Sequence, residues 1–269
     1  MKKAALVTGA SSGIGKVLAE HLLGQDYEVF GASRRQFHDP AEGLRWIPMD
    51  VGDPESVAAG VLAITEKAGR IDLLVNCAGF GISGALEDTS DAEAKSQFET
   101  NFFGVHRLCR AIVPLMREQG KGLIINVSSL AGLTAIPFQG FYSASKFALE
   151  AYTEALRMEV AGFGILVVLL EPGDFKTGFT SSRQPVKGSQ ANSFYKKQCD
   201  LAVSIMERDE QTGPDPSLIT FTLDRILSAS SPRLRYSVGR FSQRAGVGLK
   251  RVLPYGLYER LLKGTYGLK

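Results

Sequence analysis

Ala4-Ala5-Leu6-Val7-Thr8-Gly9-Ala10-Ser11-Ser12-Gly13-Ile14-Gly15 runs from a short apolar stretch directly into three closely spaced glycines. Residues 4–8 read as a buried strand. From Ile14 to Leu23, Val17, Leu18, Leu22 and Leu23 recur at helical spacing. The order is therefore strand, glycine turn, helix. Glycines permit a tight turn and a close approach of backbone to a pyrophosphate, and a helix N-terminus adds unpaired N–H groups and positive potential. Gly9, Ser11, Ser12, Gly13, Ile14 and Gly15 are the candidate cradle, in a G-x-x-x-G-x-G spacing whose weight comes from its place between strand and helix.

Outward from that turn, strand-length apolar runs alternate with helical stretches. Runs at 28–32, 44–49, 71–75, 123–127 and 165–170 read as strands, and 235–238 as a weaker seventh. Helices are expected from Pro54, with Asp53 as N-cap, to about Lys67, across 91–118, and from Tyr142 to Val160. Continuous apolar strands separated by helices imply a parallel sheet covered on both faces. The expected fold is a single-domain α/β, doubly wound Rossmann fold over residues 1–269, with a seven-stranded parallel sheet. Residues 174–216 read as a long, polar, irregular segment, the expected substrate lid.

The chain has 269 residues, 44% hydrophobic and 22% charged, which is ordinary for a globular protein. Cys77, Cys109 and Cys199 are widely separated, so neither a disulfide framework nor a zinc site is expected, and a cytoplasmic setting is. The apolar run at the N-terminus is too short for a signal core, and no stretch is long enough to span a membrane. Charge is uneven: from Ser231 to Lys269 there are nine Lys or Arg against one acid, Glu259. Residues 240–269 mix those bases with Val247, Leu249, Val252, Leu253, Tyr255, Leu257, Tyr258, Leu261, Leu262 and Tyr266. Such a segment fits either peripheral attachment to an anionic membrane or a helix packed on its own domain or a second subunit. No nucleic-acid motif accompanies the charge.

The end of the second strand reads Gly31-Ala32-Ser33-Arg34-Arg35, with no acid until Asp39. A carboxylate there would bind a ribose 2′-hydroxyl, whereas guanidinium groups suit a 2′-phosphate. Ser33, Arg34 and Arg35 therefore favour NADP(H) over NAD(H). Tyr142 and Lys146 stand four apart near a helix start and share a face. An ammonium beside a phenol favours the phenolate, so Tyr142 can exchange a proton near neutral pH. Ser129, thirteen residues upstream, follows a buried strand, at the sheet edge where ligands sit.

Taken together, these residues resemble the short-chain dehydrogenase/reductase family over nearly all of residues 1–240. The family's Asn-Asn-Ala-Gly motif is matched by Asn76-Cys77-Ala78-Gly79, with a departure at Cys77. Its helix asparagine matches Asn101, and its serine and Tyr-x-x-x-Lys match Ser129, Tyr142 and Lys146. Its Pro-Gly motif with a following threonine matches Pro172, Gly173 and Thr177, and the pair expected beside the adenine matches Asp50-Val51. The resemblance implies Tyr142 as general acid/base, Lys146 tuning it and holding the nicotinamide ribose, and Ser129 orienting the substrate oxygen. It implies Asn101 holding a water in a proton relay, Thr177 on the carboxamide, and Asn76, Ala78 and Gly79 supporting the sheet and cofactor. It also implies a homodimer or homotetramer, through the 91–118 and 142–160 helices.

The implied activity is hydride transfer between a nicotinamide and a secondary alcohol or ketone, or a primary alcohol or aldehyde. The look is similar to the 17β-hydroxysteroid and retinol dehydrogenase branches. An apolar pocket is expected from Phe80, Ile82, Pro137, Phe138, Phe175, Phe179, Phe194 and Tyr195, suiting a lipophilic substrate such as a steroid or retinoid. The alternative is a non-catalytic NADP-sensing protein on the same fold. His21, His38 and His106 have no partner at ligand spacing and are expected to do no chemistry, and Phe102-Phe103 are expected in the core.

Overall fold

In the computed structural model, which describes residues 2–35, 41–190 and 193–268, the chain begins with β1 (Lys3–Thr8), α1 (Gly13–Leu23), β2 (Tyr27–Ser33) and β3 (Arg45–Pro48). Next come α2 (Pro54–Ala68), β4 (Leu73–Asn76), the short β5 (Ile82–Ser83), α3 (Asp91–Phe98) and α4 (Gly104–Glu118). They are followed by β6 (Gly122–Val127), α5 (Gly140–Val160) and β7 (Ile165–Pro172). The rest is α6 (Phe179–Ser182), β8 (Gln184–Pro185), α7 (Lys187–Gln190), α8 (Lys196–Gln211), α9 (Leu218–Ser228), β9 (Arg235–Val238), α10 (Phe241–Leu249) and α11 (Tyr255–Thr265).

The main sheet has seven strands in the order β3-β2-β1-β4-β6-β7-β9, every pair parallel. Strand alternation sends Leu6, Phe30, Leu74, Ile124 and Val167 to one face and Val7, Val29, Val75, Ile125 and Val168 to the other. The first face is covered by α2, α4 and α5, through Ile64, Leu108, Ile112 and Leu149. The second is covered by α1 and α9, through Leu18, Leu22, Ile219 and Leu223. Burial on both faces is why these strands read as unbroken apolar runs. Strand order reverses between β1 and β4, so the crossovers leave in opposite directions and a crevice opens above their carboxyl ends.

Local chemistry sets the helix boundaries. The Asp53 carboxylate accepts from the Glu55 amide, Pro54 opens α2, and Gly69 closes it in the left-handed region at φ 70°. Ser90 and Glu93 form a reciprocal capping box on α3. The expected helix over 91–118 is present but interrupted: Glu99–Phe103 is a wide π-type turn joining α3 to α4.

Three expectations change. The 174–216 segment is not irregular: it contains the sixteen-residue α8 and the short β8, which pairs with β5 in a second sheet. Its helical faces were hidden because few apolar residues mark them; Cys199, Ala202 and Met206 alone of α8's apolar residues are fully buried. Phe102 is half-buried and Phe103 exposed, stacked edge-to-face with each other on the outer side of the α3–α4 junction rather than in the core. The strand expected over 71–75 runs from Leu73 to Asn76, and just before it the Asp72 carboxylate accepts from the Ala4 amide and pairs with Arg70.

Candidate active site

The glycine turn is bolted to the neighbouring strand by one side chain. Thr8 Oγ1 accepts from the amides of Cys77 (3.0 Å) and Ala78 (3.1 Å), tying the ends of β1 and β4 together. Gly9 sits at φ +67°, and a Cβ there would lie 2.9 Å from the Ala78 Cα. A Cβ on Gly15 would lie 2.4 Å from the Gly9 carbonyl oxygen. Those two positions admit glycine alone. Unlike α2 and α3, α1 has no side-chain cap at Ser12, so its first-turn amides face the crevice without a side-chain partner.

A cleft of about 810 Å³ extends from this turn along the carboxyl edge of the sheet. Gly9, Ser11, Ser12, Gly13, Ile14 and Gly15 line it, as do Ser33, Arg34, Arg35, Asp50 and Val51 towards β2 and β3. Ser33 is buried, takes the Trp46 indole N–H at 3.2 Å and donates to the Arg35 carbonyl, which orders the strand end; Arg34 and Arg35 are exposed on the rim. Asp50 Oδ1 accepts from the Gly52 amide at 2.9 Å. Ala78, Gly79, Ser129, Tyr142, Lys146, Pro172, Gly173 and Thr177 also line the cleft. The Thr177 Cβ comes within 3.6 Å of where a Gly13 Cβ would stand, so the start of the 174–216 segment meets the glycine turn.

Two expected site residues do not reach the cleft wall. Asn76 is buried in β4, where Nδ2 donates to Asn126 Oδ1 at 2.8 Å, and Asn126 Nδ2 donates to Thr153 Oγ1 at 2.9 Å. Strand alternation turns its side chain towards the face covered by α4 and α5, so it supports β4 and β6 rather than lining the site. Asn101, in the π-type turn, accepts from the Phe80 amide and donates to the Phe80 carbonyl and Ser145 Oγ. A Cβ on Gly79 would be 3.1 Å from Asn101 Oδ1 and 3.9 Å from Lys146 Nζ, so Asn101 stands just behind the lysine.

Tyr142 and Lys146 are both buried on one face of α5. Lys146 Nζ donates to the Val127 carbonyl at 2.9 Å and lies 5.9 Å from the Tyr142 ring centre. The expected lowering of the phenol by the ammonium is not what the polypeptide alone produces. Burial pushes Tyr142 up to about 12, offset in part by the Ser129 hydroxyl and Arg183 and reinforced by Glu210 and Asp174. Burial likewise brings Lys146 down to about 8. Desolvation outweighs the pairwise attraction because both charged forms are taken out of water.

Of the expected apolar lining, Phe80, Phe175 and Phe179 face the cleft, with the Phe179 ring centre 5.5 Å from that of Tyr142. Ile82, Pro137, Phe138, Phe194 and Tyr195 do not: Ile82 is buried in β5, and Phe194 is fully exposed. The cleft also carries Asp174, which the sequence places beside the Pro-Gly turn, and two polar residues that the sequence reading passed over, Gln139 and Glu210. Glu210 is buried and holds Arg183 in an ion pair while accepting from Thr180, so α8 clasps α6. Burial beside Glu210 pushes Asp174 up to about 6. Only their juxtaposition marks these residues. Glu171 lies under the floor, bonded to Ser237 and paired with Arg235. His21 is paired with Asp224, and His106 contacts the Tyr152 hydroxyl, both away from the cleft; His38 lies outside the described residues.

A doubly wound fold with a glycine turn, a buried Tyr-x-x-x-Lys helix and a serine at one crevice defines a nucleotide-dependent oxidoreductase. Residues 3–187 match the family model described as short chain dehydrogenase. The chain is 40% identical over 267 residues, covering 98% of each, to a 3-ketodihydrosphingosine reductase of Bacteroides thetaiotaomicron. It is 34% identical to bovine retinol dehydrogenase 8, over 92% of this chain and 77% of that one. A short-chain dehydrogenase of Streptomyces avermitilis superposes with a TM-score of 0.83 at 31% identity, covering 98% of both. The chain belongs to the short-chain dehydrogenase family and is an oxidoreductase acting on CH–OH groups.

If burial governs the phenol, the tyrosinate absorbance that distinguishes the ligand-free chain from its Tyr142→Phe variant will appear only near pH 12. A difference that titrates near pH 7 would instead show the ammonium in control.

Proposed function

We propose that this protein is an NADP(H)-dependent reductase or dehydrogenase of a lipophilic ketone or alcohol. The observation that carries the reading is the convergence of Ser129, Tyr142 and Lys146 at the inner end of a cleft whose other end is the glycine turn flanked by Arg34 and Arg35. The glycine cradle at Gly9 and Gly15, the uncapped N-terminus of α1 and the paired guanidinium groups fit a phosphorylated dinucleotide. Gly9 to Gly15 would hold its pyrophosphate, Arg34, Arg35 and Ser33 its 2′-phosphate, Asp50 and Val51 its adenine, Ala78 and Gly79 its ribose side, and Pro172, Gly173 and Thr177 its carboxamide end. When bound, the nicotinamide supplies or accepts the hydride.

The remaining work belongs to the chain. In the reductive direction the Tyr142 hydroxyl donates its proton to the carbonyl oxygen as that oxygen gains negative charge. A phenol held well above its usual range by burial stays protonated, so the donor form is present at neutral pH. Ser129 Oγ, oriented by the Ala131 amide at 3.1 Å, donates to the same oxygen and fixes its position. Lys146, held by the Val127 carbonyl, places positive charge beside the phenol when the proton leaves. In this reading the proton returns through a water held at Asn101, behind Lys146, by a group other than its side-chain amide, which Phe80 and Ser145 already engage. The intact Ser–Tyr–Lys set argues against a sensor without catalysis.

The 40% identical relative is named for a sphingoid ketone, and the bovine one for retinol. Both support a long apolar substrate, with Phe80, Phe175 and Phe179 beside Tyr142 as its cover. The basic tail serves two roles in this reading. Its inner face packs on the domain: Tyr258 is buried and bonded to Thr134, and Lys250 Nζ donates to the Leu133 carbonyl at 2.7 Å. Its outer face carries exposed Phe241, Val252 and Tyr255 among Arg244, Arg251, Arg260 and Lys263, a composition that suits an anionic membrane surface. Among the described residues no helix is long and apolar enough to cross a membrane. The exposed Phe103, Phe147 and Met158 of the α4 and α5 region are the surface through which a homodimer or homotetramer would form.

Three outcomes are expected. Tyr142→Phe lowers turnover by roughly 100- to 10,000-fold while NADPH binding, followed by its fluorescence, is kept; unchanged turnover discards the mechanism. Arg34→Ala with Arg35→Ala lowers NADPH affinity relative to NADH by about 10- to 100-fold, the worth of a charged hydrogen bond; equal effects on both cofactors would remove the 2′-phosphate assignment. In flotation with phosphatidylserine vesicles the full chain rises with the lipid, and a Phe241→Ser, Val252→Ser, Tyr255→Ser variant stays down; if the two behave alike, the tail does not dock on lipid.

A further inference from the structure

The basic tail reaches the cleft from behind through one side chain. Gln243 lies in the first turn of α10 and sets its amide against the Pro172-Gly173-Asp174 turn. Its Oε1 accepts from the Asp174 backbone N–H at 3.2 Å, and its Nε2 donates to Asp174 Oδ2. A primary amide offers an acceptor and a donor side by side, which matches the N–H and the carboxylate of a single residue. A Cβ on Gly173 would lie 2.5 Å from Gln243 Oε1, so the glutamine oxygen fills the space that a side chain there would need. Gly173 and Asp174 are on the cleft wall, and Gln243 supports them from the side away from it.

The chain is led to this contact by its own backbone. The Gly173 amide donates to the Val238 carbonyl at 2.7 Å, which joins the turn to the end of β9. Gly239 follows at φ 133°, and a Cβ there would lie 3.3 Å from the Gly173 Cα, so α10 starts directly against the turn. Arg240 fixes that start by donating to the Thr212 carbonyl and, at 2.9 Å, to its hydroxyl, at the end of α8. On the other side, a Cβ on Gly213 would lie 2.7 Å from the Asp174 carbonyl oxygen. The N–H, carboxylate and carbonyl of Asp174 are thus each confined, two of them by Gln243.

We propose that Gln243 is a positioning residue: by pinning Gly173 and Asp174 it sets the stretch of cleft wall that receives the nicotinamide end of the cofactor, and so makes the tail a working part of the site. The inference rests on the reading of Pro172, Gly173 and Thr177 as the carboxamide end. A wall held from behind by two bonds presents its front in one place, and a shift of about 1 Å in such a group is enough to weaken what it holds. The effect belongs to the nicotinamide half, because the glycine turn and the arginines lie at the other end of the cleft.

The test titrates the ligand-free full chain by calorimetry with NADPH and with 2′,5′-ADP, which keeps the phosphorylated adenosine and lacks the nicotinamide; NADH and ADP make the same comparison if a 2′-phosphate is not taken. Gln243→Leu, and the size-matched Gln243→Glu, which keeps the acceptor but turns a negative charge on Asp174, should each lower NADPH affinity by about tenfold and leave 2′,5′-ADP unchanged. Equal loss on both ligands makes Gln243 general scaffolding, and no loss on either makes it idle; both overturn the proposal. Tyr258→Phe removes the tail's bond to Thr134 without touching the turn and should keep both affinities. The same selective loss there would assign the effect to docking of the tail at large and overturn the role of Gln243. Thr177→Ala reads the carboxamide end separately. Selective loss there with none in Gln243→Leu sinks the inference alone, whereas selective loss in neither sinks the underlying reading with it.

Discussion

Two amide protons donated to one threonine oxygen hold the crevice in shape. Thr8 closes β1, and its hydroxyl oxygen takes the N–H groups of Cys77 and Ala78 at the end of β4, across the place where the strand order reverses. With those ends tied, the glycine turn has one path, close enough to Ala78 that Gly9 cannot carry a side chain. The amides of α1 are then aimed along the carboxyl edge of the sheet. The cleft continues from there to β6 and β7, whose ends bring Ser129, Pro172 and Gly173 to the same edge. Without that tie the order of strands would still be right, but the turn and the reacting groups would not share one line.

The electrostatics of the inner end follow from depth. The phenol and the ammonium are both buried, and burial moves each towards its neutral form, the tyrosine up and the lysine down. Lys146 at about 8 keeps its proton at neutral pH, held by the Val127 carbonyl, and Tyr142 keeps its own. The acids of the 174–216 segment oppose a tyrosinate, and Arg183 favours one. Charge brought beside the phenol therefore has a large effect on it, because the phenol is buried and poorly screened.

The 174–216 segment and the tail pack against each other. Glu210 on α8 grips Arg183 and Thr180 next to α6, and a Cβ on Gly267 would meet Leu201 of α8, so the tail at Gly267 lies against that helix. Tyr258 ties α11 to Thr134, a few residues from Gln139. The exposed apolar and basic face of the tail thus stands beside the loop that supplies one wall of the cleft. The face proposed to meet lipid and the cleft proposed to take an apolar substrate are thereby joined through a single packed segment.

Much of this was legible in the chain itself. Unbroken apolar runs can be satisfied only by a sheet covered on both faces, and the glycine turn between the first strand and helix set the crevice, so fold class, cradle and the Tyr142–Lys146 face follow from local pattern. Asp53, Pro54 and the 235–238 strand could be read to within a residue for the same reason. What the tertiary structure alone decided depends on contacts between residues far apart in sequence. It turned Asn76 into a sheet brace bonded to Asn126, broke the long helix at Asn101 with a wide turn, and made Phe103 a surface residue. It also converted a polar stretch into the α8 clasp and gathered Gln139, Asp174 and Glu210 at the cleft. No spacing in one dimension encodes those meetings, because desolvation exists only once other parts of the chain have closed over them.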